Sequence, residues 1–142
     1  MIYFGLEAKI VDVEMAFLYG ELEEEIYMKC PQGMQDATKD DVLLLTACIY
    51  GSVQAARQYY KKVVKILKEI GFTGGDVCKH SDKGICFIAL YVDDNLLVGH
   101  PAAIDDAIRQ MREHDLILKI EDTLHDYLSC EIKFSSDRSK AC

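Results

Sequence analysis

The chain has 142 residues, half of them hydrophobic, and a formal net charge of -8. A chain of that length and composition builds one domain with its own core and is not disordered. Its acidity excludes a protein that grips nucleic acid by bulk charge, a task for Lys and Arg, and leaves a polynucleotide partner only through a local basic stripe.

In chain order, Leu6, Ala8 and Ile10 alternate with Glu7 and Lys9, the period of a strand with one dry face. The alternation carries Asp12 to the same side. A carboxylate at the end of an apolar face is either a turn former or helix cap, or a costly acid with a purpose. Residues 15–19 form an apolar patch ended by Gly20, and Glu21, Glu23, Glu24 and Glu25 follow as a solvated acidic edge. Residues 25–29 read as a short strand stopped by Pro31 and Gly33, residues 32–41 as a polar loop, and residues 42–50 as a strand or its approach, ended by Gly51. Ser52 is placed to cap a helix and Gly71 to end it. Between them Val53, Ala56, Tyr60, Val63, Leu67 and Ile70 recur as one apolar face. Arg57, Lys61, Lys65 and Lys68 recur on another side as a basic stripe, either a solvated face or a phosphate contact.

Turn signals at Gly74-Gly75 and Asp82-Lys83-Gly84 flank residues 77–80. An apolar run, 85–92, then leads into Asp93-Asp94, and Leu96-Leu97-Val98 leads away to Gly99: two buried strands with paired acids at their joint. Repulsion and desolvation make that pair unfavourable unless a cation compensates, and a hard divalent metal suits carboxylate oxygens. His100-Pro101 opens a second helix, buried through Ile104, Ala107, Ile108 and Met111. Residues 116–120 and 127–134 read as two last strands, and 135–142 as a polar tail. The order predicts an α+β fold, an antiparallel sheet with helices packed on one face. If the strand ending at Asp12 lies beside the Asp93-Asp94 hairpin, three carboxylates meet at one edge. Such a set suits two Mg2+ ions and phosphoryl transfer, against a structural calcium site or plain surface acids.

No apolar stretch approaches the roughly 20 residues of a membrane span, and residues 1–9 carry Glu7 without a basic n-region, unlike a signal peptide. Six cysteines without C-x-x-C spacing read as reduced thiols of an intracellular protein, with Cys48, Cys86 and Cys130 in apolar, buried settings. Cys78, His80 and Cys86 fit no standard zinc spacing and lack a fourth ligand.

Four boxes in order carry a family resemblance. Tyr91-Val92-Asp93-Asp94 resembles the Y-V-D-D box of reverse transcriptases. Residues 12–20, DVEMAFLYG, resemble the D-V-x-x-A-F-L-x-G box of copia-type LTR retrotransposons, and residues 21–34, ELEEEIYMKCPQGM, continue that match. Tyr50-Gly51 with Gln54-Ala55-Ala56-Arg57 and Tyr60 resembles the L-Y-G-L-K-Q-A-P-R-x-W-Y segment, and Asp76-Val77-Cys78 the D-x-C step. The match covers residues 6–134.

The resemblance implies a reverse transcriptase palm with a ferredoxin-like core over residues 1–134, followed by the tail at 135–142, with fingers and thumb largely absent. Asp12, Asp93 and Asp94 would be its catalytic acids and hold two Mg2+ ions, with Mn2+ as an alternative. The primer 3′-hydroxyl would attack the α-phosphate of a deoxynucleoside triphosphate and release pyrophosphate. Val13 through its carbonyl, Phe17 beneath the sugar, where a ring rejects a 2′-hydroxyl, and Gln54 near the nascent base pair would bind the nucleotide. Tyr91, Arg57 and Lys61 would meet primer and template. The implied partners are an RNA or DNA template with its primer, deoxynucleoside triphosphates and the rest of the polyprotein (fingers, thumb, RNase H, integrase), with no membrane. The implied location is intracellular, in a cytoplasmic virus-like particle. The alternatives are a truncated, non-catalytic remnant that keeps fold and acids, and a metal-binding or interaction module on a palm-like sheet. Departures from the pattern are Ala56 for proline, Tyr59 for tryptophan, Ser52-Val53 for Leu-Lys, Asn95 where an apolar residue is usual, and Asp122 and Ser129 for glycines.

Overall fold

In the computed structural model the described residues are 5–34, 38, 40–73, 78–121, 126–128 and 130–131. The chain divides into two units, Met1–Ala16 with Val63–Cys142, and Phe17–Lys62. In chain order the elements are β1 (Glu7–Val13), a 3-10 turn (Ala16–Tyr19), β2 (Tyr27–Lys29), β3 (Val42–Leu44) and α1 (Ala55–Glu69). After them come β4 (Cys78–Ser81), β5 (Gly84–Tyr91), β6 (Asp94–Gly99), α2 (Pro101–Glu113), β7 (Leu118–Glu121), β8 (Asp126–Tyr127) and β9 (Cys130–Glu131).

The first unit holds a five-stranded sheet in the order β4-β5-β6-β1-β7, every neighbouring pair antiparallel. The strand that opens the chain is thus inserted between two that come late. Residues paired across strands share a face of a sheet, so the registers sort the side chains. One face carries Lys79, Cys86, Ile88, Leu97, Lys9, Val11 and Ile120. Helix α2 packs on it, with Lys9 Nζ 2.9 Å from Asp105 and Lys79 Nζ 3.6 Å from Asp106. Its buried side is the predicted Ile104, Ala107, Ile108 and Met111, and Pro101 stands at its first turn behind His100.

That buried side also holds Asp106, only 8% exposed. It accepts hydrogen bonds from Lys83, Gln110 and Arg109, and Lys83 first and Arg109 second hold its carboxyl well below the usual range. A carboxylate this dry is tolerated because it is paired.

Four expectations change. The drier side of β1 is Val11 and Val13, facing α2's side, rather than Leu6, Ala8 and Ile10 alone; Ile10 is buried too, so both faces are partly covered. Helix α1 begins at Ala55, and the Ser52 hydroxyl donates to the Ile49 carbonyl instead of capping it. Val53 therefore lies outside the helix, 99% exposed, and the buried face runs through Ala55, Tyr59, Val63, Ile66, Leu67 and Ile70, with Ala56 and Tyr60 exposed. Gly71 ends it as expected, at φ 97°. There Gly71 N donates to Lys68 and Phe72 N to Leu67, a Schellman pattern that a glycine accepts without a Cβ clash. The expected strand at 42–50 is only β3, paired with β2. The expected strand at 127–134 is instead the short β8–β9 hairpin, broken at Leu128, whose φ is 52°. Residues 132–134, the 135–142 tail, Asp76, Val77, Asp122 and Ser129 lie outside the described residues. No helix among those described is long and apolar enough to cross a membrane.

Candidate active site

The register of β1 on β6 sets Asp12 opposite Asp94. The flanking registers extend the row to Tyr91 on β5 and Lys119 on β7. Tyr91, Asp94, Asp12 and Lys119 thus cross the sheet side by side on the face away from α2. Cβ atoms of directly opposed residues lie roughly 4.5–5.5 Å apart, close enough for two carboxylates to share an ion once they turn toward it. Asp93 joins them from the turn. With Val92 it forms a two-residue hairpin loop between Tyr91 and Asp94, and its carbonyl accepts the Val13 amide at 2.9 Å. Val92 has φ 49°, a conformation that costs a β-branched residue on the order of 1–3 kcal/mol. Tight hairpin loops require positive φ, so the turn that presents Asp93 and Asp94 is held under strain by the strands on either side.

The acids feel one another. Partial burial, then the charges of Asp93 and Asp94, push the Asp12 carboxyl above its usual range, with Lys119 pulling the other way. Partial burial, then Asp93 and Glu121, push Asp94 up as well. Both shifts mark crowded negative charge that a cation would relieve. Among the described residues, however, no group of three or more His, Cys, Asp or Glu side chains is drawn together tightly enough to hold a metal ion as it stands. The fit to a divalent ion is therefore one of donor chemistry and charge: three hard oxygen ligands and an excess of negative potential on one edge.

Two further side chains touch the backbone of the acid pair. Asn95, fully buried directly behind it, donates from Nδ2 to the carbonyls of Asp93 (3.1 Å) and Val11 (3.3 Å). Tyr127 donates from its hydroxyl to the Asp94 carbonyl at 3.3 Å. None of these hydrogen bonds is visible in a one-dimensional pattern. Lys119 was within reach of sequence reasoning, since a lysine in strand alternation beside apolar partners has a definite face.

The remaining expected residues belong to the second unit. The Phe17 ring is half-buried, packed at 4.6 Å on Tyr50 and edge-on at 6.4 Å to Tyr59. Gln54 precedes α1 and its carbonyl accepts the Gln58 amide. Arg57 is exposed, and Lys61 is paired with Glu23 at 2.6 Å, so the basic stripe is partly neutralised by the acidic edge. The zinc set dissolves: Cys86 pairs with Lys79, so it points to the opposite face from Cys78 and His80. A groove of about 460 Å³ between Arg109, Arg112, Glu113 and Ile120 lies on the α2 face, away from the acid row.

The reverse transcriptase (RNA-dependent DNA polymerase) family profile matches residues 6–142. Over 101 residues, 66% of this chain, the sequence is 41% identical to the Retrovirus-related Pol polyprotein from transposon TNT 1-94 of Nicotiana tabacum, covering 8% of that protein. Over 129 residues, 87% of this chain, it is 30% identical to the Retrovirus-related Pol polyprotein from transposon RE2 of Arabidopsis thaliana, covering 9%. It is 26% identical over 136 residues, again 87% of the chain, to the Transposon Ty1-BR Gag-Pol polyprotein of Saccharomyces cerevisiae, covering 8%. The chain thus spans less than a tenth of the length of these relatives. No solved structure gives a significant match. With these relatives, the chain belongs to the reverse transcriptase family, in its copia-type retrotransposon branch.

Proposed function

We propose that this chain is the palm of an RNA-directed DNA polymerase, working within a copia-type Pol polyprotein, and that Asp12, Asp93 and Asp94 are its catalytic acids. The observation that carries the reading is the cross-strand pairing of Asp12 with Asp94, which brings acids from two distant boxes onto one edge. Two Mg2+ ions bound there would supply activation of the primer 3′-hydroxyl and stabilisation of the leaving oxygen. The chain's own part is to present three carboxylates as ligands on a backbone already fixed by strand pairing, so that binding asks only for side-chain reorientation. The Val13 carbonyl adds a neutral oxygen next to Asp12. Tyr91, 56% exposed beside Asp94, offers a ring surface for the primer end. Phe17 would exclude a 2′-hydroxyl, Gln54 would line the nascent pair, and Arg57 and Lys61 would approach template phosphate. The ferredoxin-like description of the sheet, the 1–134 boundary and a particle-borne, intracellular setting belong to the same proposal.

The test is primer extension on an RNA template with this chain in its full polyprotein. Asp93→Asn is expected to reduce Mg2+-dependent deoxynucleotide incorporation to background. Extension retained in that variant removes the assignment.

A further inference from the structure

Asn95 stands where the family pattern has an apolar residue, yet its side chain is 0% exposed on the α2 side of the sheet. The registers place it between Leu90 and Val11, in the row just beneath Tyr91, Asp94, Asp12 and Lys119. A buried amide in that row is unfavourable unless its polar atoms are matched. Its Nδ2 is matched twice, to the Asp93 carbonyl in the turn and the Val11 carbonyl on β1. Its Oδ1 is buried without a partner among the described residues. An apolar residue would remove that orphan at no loss of shape. What the amide offers instead is a strut between the two segments that carry the acids: β1 delivers Asp12 one residue after Val11, and the turn delivers Asp93 and Asp94. The Asp93 carbonyl is gripped from two sides, by this amide and by the Val13 amide.

Resting on the reading of the acid row as a divalent-metal site, we propose that Asn95 is its positioning residue, fixing the separation of Asp12 from Asp93 and Asp94 through the carbonyls of Val11 and Asp93. Outer-shell partners of metal ligands typically change affinity about 10- to 100-fold when removed, and Asn95 occupies that place for two ligand-bearing segments at once.

The test titrates the full 142-residue chain with Mn2+ alone, read by electron paramagnetic resonance of free ion, alongside a thermal melt. Asn95→Leu matches the shape without the donors, and Asn95→Ser is smaller. The expected result is a cooperative melt with Mn2+ affinity lowered about tenfold or more, while the Asp12→Asn control loses binding. Unchanged affinity in a folded Asn95 variant overturns the proposal, since a merely structural amide would move the melt and leave the titration alone. Loss of a cooperative melt in both Asn95 variants overturns it too, because the amide then serves the fold. If the unaltered chain shows no Asp12-dependent binding, the metal reading itself falls and takes this inference with it, an outcome distinct from a normal titration in the variants.

Discussion

Asp12 and Asp94 are held in the folded chain against their own electrostatics, and that tension can be measured. Both carboxyls titrate above their usual value of 3.8, through burial first and neighbouring acids next. The sign follows from linkage: a carboxyl raised on folding destabilises the native state when ionised, and the penalty fades as pH falls through the raised value toward the unfolded one. Asp12→Asn removes the Asp12 share. The metal-free variant is expected to melt above the parent at neutral pH, with the gap closing as pH drops toward 3.8. The same substitution should weaken Mn2+ binding by at least the roughly 10- to 100-fold typical of losing an outer-shell partner. A variant that melts no higher than the parent would show that burial and the neighbouring acids impose no net penalty on the ionised Asp12. At this scale the acids were readable from sequence because carboxylates amid apolar runs are conspicuous. Asn95 was readable only as a departure, and Asp106 not at all, because Lys79, Lys83 and Arg109 come to it from β4, the β4–β5 turn and α2 and meet only in the fold.

The β5–β6 hairpin is the element on which the site depends, and it is pinned at both ends. At the tip Val92 takes a strained φ. At the base Gly99 passes so close to β5 that an added Cβ would sit 2.3 Å from the Ile85 carbonyl oxygen and 2.8 Å from the Cys86 Cα. Backbone atoms there cannot swing aside as a flexible side chain does, so Gly99→Ala forces the strands apart. Overpacking of this kind costs about 1–3 kcal/mol. The expected outcome is a loss of that size in denaturant midpoint stability, together with faster hydrogen exchange along β5 and β6; wild-type stability would show that the two strands separate freely at that end. Hairpin and α2 were legible because a turn between apolar runs and a proline-led amphipathic stretch are local signals. The start of α1 was misread for an equally local reason: Ser52 resembles a cap, but its hydroxyl closes a turn back to Ile49, and the helix phase moves with it. The row that carries the acids depends on β1 entering between β6 and β7, a long-range pairing that periodicity cannot express.

For the whole molecule the controlling quantity is charge. The chain carries -8, and many of its cations already have anionic partners within it. Lys61 lies against Glu23, Lys62 against Glu21, Lys9 against Asp105, and Lys79, Lys83 and Arg109 gather on Asp106. Neutralising backbone phosphates releases counterions only where Lys and Arg are at liberty to meet them, so affinity is weak when few are. The exposed pairs at Lys61 and Lys62 are weak enough to reopen for a stronger partner, whereas the cluster on Asp106 is anchored by a buried carboxylate and stays closed. An acid row that binds two cations would lower the local repulsion without supplying a groove for a duplex. The 142-residue chain alone is therefore expected to give no gel-shift with a primer–template at roughly 0.15 M salt, and no measurable extension on an RNA template with Mg2+ and deoxynucleotides, even while it binds Mn2+ through Asp12. Robust incorporation by the isolated chain would mean that the exposed face of α1, from Arg57 to Lys68, holds nucleic acid unaided, and that its pairing with the acidic edge yields to phosphate.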